Sequence, residues 1–208
     1  MPGNLMDSGR RRFLQTALPL GAFACLGCKG LLALPGCDGR PCQSGQENRF
    51  SENPGMTTEE MFRFFYGLLV PTLVLLAKDI GREKLVKELT KASAENAAQM
   101  IAAAAKGMPK RDMKAFAAMM DGMMATAPYN KALAYEVVER SDKAYAMKVT
   151  ECLPAKMWSE MKAPDLGYAL ECSSGDAMAK AFNPRMKGTE LKNILKGDSV
   201  CIGRYELV

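Results

Sequence analysis

The sequence predicts an α+β fold, with an N-terminal helical half followed by a four-stranded antiparallel sheet with intervening helices. Three observations lead there. Apolar residues recur at helical spacing from Met61 to about Thr126. The pattern then switches to alternation, with Tyr135 and Val137 before the polar turn Arg140-Ser141-Asp142 and Tyr145, Met147 and Val149 after it, which marks a β-hairpin. Near the C-terminus, Met186 to Leu195 and Val200 to Leu207 read as two further strands joined by the turn Lys196-Gly197-Asp198. Strand pairs separated by helices, with the other helices gathered at one end of the chain, define the α+β class.

Each element has a local reason. Thr57-Thr58-Glu59-Glu60 is a capping box in front of the apolar run Met61 to Ala77. Pro71 predicts a kink or split after Val70. Leu68 to Ala77 reads as a buried core helix, because Lys78 and Asp79 end it short of a membrane span. A second helix runs from about Glu83 to Lys106 with Leu85, Val86, Leu89, Ala97, Met100 and Ile101 on its apolar face, and Gly107 and Pro109 stop it. A third covers about Lys110 to Thr126. After the hairpin, Leu153 to Met161 is a short helix with Pro154 in its first turn. Pro164-Asp165 opens another that carries Leu166 to Cys172, and Gly175-Asp176 opens one that ends near Phe182, before Pro184.

The first residues are of a different kind. Arg10-Arg11-Arg12-Phe13-Leu14-Gln15 resembles a twin-arginine export signal, with Arg10 and Arg11 as the pair and Phe13 and Leu14 at its apolar positions. An apolar run to Cys28, closed by Lys29, is too short for a stable span. Residues 1–36 are therefore read as the signal segment, 37–56 as a flexible linker rich in Gly, Pro, Ser and Asn, and 57–208 as a single α+β domain. The signal implies the twin-arginine translocation machinery as a partner, and a periplasmic location or one on the outer face of a bacterial inner membrane. Leu34-Pro35-Gly36-Cys37 resembles a lipoprotein box, so Cys37 is a candidate lipidation site and membrane tether. Without the lipid, Cys37 and Cys42 are close enough in sequence to form a short disulfide loop.

Composition narrows the chemistry. The 208 residues are 48% hydrophobic and 25% charged, ordinary usage for one globular core. The net charge of +5 owes much to Arg10, Arg11, Arg12 and Lys29, so the remaining chain is close to neutral and nothing points to nucleic acid. Histidine is absent. Acid–base and ligand chemistry then falls to carboxylates, thiols, Lys and Tyr. In the C-terminal half stand Cys152, Cys172 and Cys201, at a strand end, in a helix and in the last strand. One reading makes them buried small hydrophobes. Another joins them to Asp165, Asp176 or Asp198 as ligands for zinc or iron. A third makes one thiolate a nucleophile, which requires a neighbouring positive charge to lower its pKa. The methionines of the third helix, from Met108 to Met124, read as core filler or the lining of an apolar groove, with copper(I) binding as the sharper alternative.

Cys152-Leu153-Pro154, Ala163-Pro164-Asp165-Leu166-Gly167-Tyr168, Cys172, Phe182-Asn183-Pro184, Gly197-Asp198-Ser199-Val200-Cys201 and Arg204-Tyr205 together resemble the L-2-amino-thiazoline-4-carboxylic acid hydrolase family. The likeness is close over the last third of the chain and looser before it. It implies a hydrolase that opens a small C–N/C–S ring to a carbamoyl-cysteine product. In that reading Cys152, Cys172, Cys201, Asp165 and Asp198 are catalytic candidates, and Arg204, Arg185 and Asn183 bind substrate. The cysteine pattern is also similar, more distantly, to the 4-vinyl reductase-like sensor domains. That similarity implies the alternative of a non-catalytic module holding zinc or a small ligand.

Overall fold

The computed structural model describes residues 55–208. The expected export signal, Cys37, Cys42 and most of the expected linker lie outside the described residues. The first helix, α1 (Thr58–Ile80), starts at the expected capping box. Thr57 Oγ1 accepts from the Glu60 amide at 3.2 Å while the Glu60 carboxylate accepts from the Thr57 amide at 2.7 Å. The expected break at Pro71 does not occur, and α1 runs through it. Pro71 lies on the solvent side, so the Gly67 carbonyl that loses its partner faces water instead of the interior. Nor is α1 a buried core helix. Only Val70 and Ala77 are buried, and the opposite face is bare.

Gly81, at φ 92°, ends α1, and α2 (Arg82–Ala104) follows at once. Asp112 caps α3 (Met113–Ala125) by accepting from the Ala115 amide at 2.9 Å. A single turn, α4 (Tyr129–Ala132), leads into the sheet, an element the sequence pattern did not signal. The hairpin follows as expected, with β1 (Leu133–Arg140) and β2 (Ala144–Cys152) joined at the Ser141–Ala144 turn. Cys152 ends β2 and caps α5 (Leu153–Glu160). Next come α6 (Pro164–Gly167), which runs on into a wider π-turn (Tyr168–Cys172), and α7 (Gly175–Phe182). The chain closes with β3 (Met186–Lys192), a 3-10 turn at Ile194–Lys196 and β4 (Cys201–Leu207). β3 is shorter than the expected Met186–Leu195 run. Asn193 accepts from the Leu195 amide at 2.9 Å and so starts the 3-10 turn where pairing would otherwise continue.

The strands form one antiparallel sheet in the order β1-β2-β4-β3. β4 therefore sits between the two strands that flank the helical insertion, with Tyr205 opposite Tyr145 on one side and Gly188 on the other. One core cluster gathers where α3 and α7 meet this sheet. Phe116 is its hub, with ring centroids 4.9 Å from Tyr205, 5.2 Å from Phe182 and 6.4 Å from Tyr145. A second cluster surrounds Trp158 and draws on Val70, Leu85, Ala163, Leu166 and Leu195. Gly167 belongs to it for a steric reason, since a Cβ there would fall within the Trp158 ring. Gly188 plays the same part at the sheet, where a Cβ would come 2.6 Å from the Gly175 carbonyl oxygen.

Candidate functional site

Between the two clusters lies a cavity of about 770 Å³. Its walls come from Phe62 and Tyr66 of α1, the Ser93–Ile101 stretch of α2, Met147 and Val149 of β2, and the near ends of β3 and β4. The π-turn closes one side. Ser173 N–H donates to the Tyr168 carbonyl at 3.1 Å, a bond five residues long, and Ser93 Oγ donates to the Leu170 carbonyl at 2.7 Å and so ties the turn to α2. A widened turn advances each residue by a smaller angle than an α-turn. Leu170, Glu171 and Cys172 thus all reach the same wall.

The three thiols meet at this cavity. Cys152 Sγ accepts from the Ala155 amide at 3.5 Å, Cys201 Sγ accepts from the Ile194 amide at 3.4 Å, and Cys172 follows Glu171 in the π-turn. Burial pushes the Cys152 thiol up to about 11 and the Cys172 thiol up to about 12, and Cys201 rises for the same reason. Each of Cys152 and Cys172 is raised further by neighbouring thiols and by Glu171. No cation figures among these influences, and the Ala155 amide at the start of α5 lowers the Cys152 value by less than burial raises it, so at neutral pH the three groups are neutral thiols. Among the described residues no set of three or more Cys, Asp or Glu side chains converges as metal ligands. The cysteines line one cavity without forming the expected zinc or iron centre.

Glu171 is the group the sequence reading missed. Its Oε1 accepts from Tyr66 Oη at 2.6 Å and from Trp158 Nε1 at 2.7 Å. Both donors fall on one oxygen, and Oε2 has no protein donor among the described residues. The residue lines the cavity and keeps solvent-exposed surface. Burial raises its pKa, and the Tyr66 and Trp158 bonds offset only part of that rise. The sequence held one signal for it. Glu171 is the single acid in the apolar run Leu166 to Cys172, where helical packing has no use for a charge. Lys192, on β3, is the one cationic side chain among the cavity's lining residues.

The other candidates stand elsewhere. Asp165 begins α6 and takes a two-point bond from Arg82, at 2.7 and 2.6 Å, which holds its carboxyl below the usual range. Asp198 accepts from the Asn193 amide at 2.7 Å and shapes the turn before β4. Arg204 spans the sheet surface between Glu139, at 2.8 Å, and Glu206. Asn183 donates to the Arg111 carbonyl at 2.7 Å and accepts from the Arg185 amide at 2.9 Å, so this pair organises the link from α7 to β3. None of these five lines the cavity, whereas Asp176 does, with Oδ1 accepting from the Gly188 amide at 3.2 Å.

A family model described as L-2-amino-thiazoline-4-carboxylic acid hydrolase matches residues 61–205, from the first turn of α1 to within β4. The chain belongs to this family. The match takes in every cavity-lining group discussed above, from Phe62 to Cys201, and it gives this member of the aminothiazoline-carboxylate hydrolase family a hydrolase-like function at family level. Comparison with curated proteins returned no match. Among solved structures, the family member is similar to a trafficking protein particle complex subunit 3 from Naegleria fowleri covalently bound to palmitic acid. The two are 14% identical, the alignment covers 73% of this chain and 95% of that one, and the TM-score is 0.40. Likeness at that level carries no function across.

Proposed function

We propose that this family member is an exported hydrolase that opens a small cyclic C–N/C–S substrate, such as an aminothiazoline carboxylate, inside the Glu171 cavity. The observation that supports it best is the placement of Glu171. A cavity-lining carboxyl with a raised pKa and one unengaged oxygen is suited to taking a proton and returning it. In an aminothiazoline the carbon between nitrogen and sulfur is electrophilic. Water adds to that carbon as one of its protons passes through Glu171 Oε2 to the ring nitrogen, which takes the former C=N electron pair. On collapse the adduct hydroxyl gives its proton to Glu171 and becomes the carbonyl, the C–S bond breaks, and Glu171 delivers that proton to the departing sulfur. One water is consumed, and a carbamoyl-cysteine forms.

Tyr66 and Trp158 hold the carboxylate in one orientation through both proton transfers. Lys192, which lines the cavity, meets the substrate carboxylate as a point charge in this reading, the task first expected of Arg204 and Arg185. The neutral thiols supply a soft, poorly hydrated wall. The twin-arginine signal supports work outside the cytoplasm.

Turnover of aminothiazoline carboxylate by the purified chain tests the reading. The parent hydrolyses it, and Glu171→Gln, which keeps an acceptor for Tyr66 and Trp158, loses about 10²–10⁴-fold in kcat. No turnover by the parent overturns the substrate. An unchanged rate in Glu171→Gln overturns the role of the carboxyl.

A further inference from the structure

α1 has a second face that the cavity does not use. Phe64, Phe65, Leu68, Leu69, Leu75 and Leu76 all point away from the core, with Phe64 58%, Leu68 62% and Leu75 61% exposed. Together they bare on the order of 500 Å² of apolar surface, at the upper end of what a monomer leaves open. Thr72, the hydroxyl within this stretch, turns its proton back onto the Leu68 carbonyl at 2.7 Å.

We propose that this face docks against the same face of a second copy of the chain, with the two α1 helices antiparallel about a two-fold axis near Leu69. Spacing favours a helix as the occupant. Met61, Phe65, Leu68, Thr72 and Leu75 alternate steps of four and three, the narrow seam of packed helix pairs. Shape favours the antiparallel sense, because the phenyl groups stand at one end and the slimmer Thr72, Leu75 and Leu76 at the other, so each end of one copy fills the opposite end of its mate. Charge agrees. Glu60 and Lys78 lie equidistant from Leu69 and about five whole turns apart, hence on one side of the helix. An antiparallel dyad sets Glu60 against Lys78 of the second copy, twice over. Lys78 has no ion pair among the described residues, and Glu60 engages Thr57 through Oε2 alone. Two such faces bury on the order of 1,000 Å², enough for a specific association. A bilayer would also accept the apolar strip, and by length and composition α1 could span one. Its flanks argue for the second copy, since they carry both signs, Glu59, Glu60 and Asp79 with Lys78, which suits a complementary mate better than an anionic membrane surface that favours bases alone.

The test is the mass of the full chain by light scattering in detergent-free buffer over a range of concentrations. The expected result is twice the chain mass at micromolar concentration. Leu68→Glu with Leu75→Glu should give a single-chain mass, and Lys78→Glu should weaken the dimer about tenfold, more than Lys78→Gln does. The Lys78 pair of variants decides the matter should the double variant fail to fold. A single-chain mass for the parent at every concentration overturns the proposal. So does a dimer that Lys78→Glu leaves equally tight, or a single chain that floats with phosphatidylglycerol vesicles.

Discussion

At the scale of single residues, Glu171 is a carboxyl group kept where its ionised form is poorly solvated. Folding raises its pKa above the unfolded value. The stability it contributes is therefore present in acid, below the ordinary Glu value, and is lost as pH rises through the folded value. Glu171→Gln should then melt above the parent at neutral pH, and the gap should close as pH falls below about 4. Thermal scans from acid to neutral pH check this, and a gap of constant size would mean that the charge is not the cause. A variant that is more stable and less active is the usual signature of a strained functional group. The cysteines were legible in the sequence as chemistry-bearing residues, but their protonation state was not. Burial, visible only in the fold, sets their pKa high. The roles read for Asp165, Asp198 and Arg204 came from residue type and order alone, and order could not tell that Arg82, the Asn193 amide and Glu139 are their partners.

At the scale of elements, the π-turn and Gly167 place the site. α6 opens at Pro164-Asp165 as the sequence implies, but the widening at Tyr168 leaves no mark in the apolar pattern and comes from packing. Gly167 lets α6 press against the face of Trp158, whose indole N–H holds Glu171. Gly167→Ala should cost about 1–3 kcal/mol through overpacking. The urea midpoint measures it, and a cost near zero would show that Trp158 has room to move. α1 shows the limit of local rules. Its capping box and length were legible, while the continuity through Pro71 and the bare outer face depend on which side of the helix meets solvent.

At the scale of the whole molecule, the α+β class followed from the change of apolar period after α3, a signal local enough to survive without homologues. The strand order β1-β2-β4-β3 was not legible, because it depends on how the helical insertion returns the chain to the sheet. The cavity is a product of that return. It brings Cys152, Cys201 and the adjacent pair Glu171 and Cys172, from three elements, to one cavity. The export reading belongs to this scale too. Replacing Arg10 and Arg11 with Lys should hold the chain in the cytoplasm, as fractionation of an expressing bacterium would show. Unchanged distribution would count against the signal.

The proposed hydrolysis turns on protons relayed by Glu171. The pH dependence of kcat/KM for aminothiazoline carboxylate, in the parent and in Glu171→Gln, follows it most directly. The prediction is an ascending limb with a midpoint above the ordinary glutamate value, present in the parent and gone from the variant. A limb that survives in Glu171→Gln, or a parent whose rate climbs only near pH 11, where the Cys152 thiol ionises, would contradict it and return the chemistry to the cysteines.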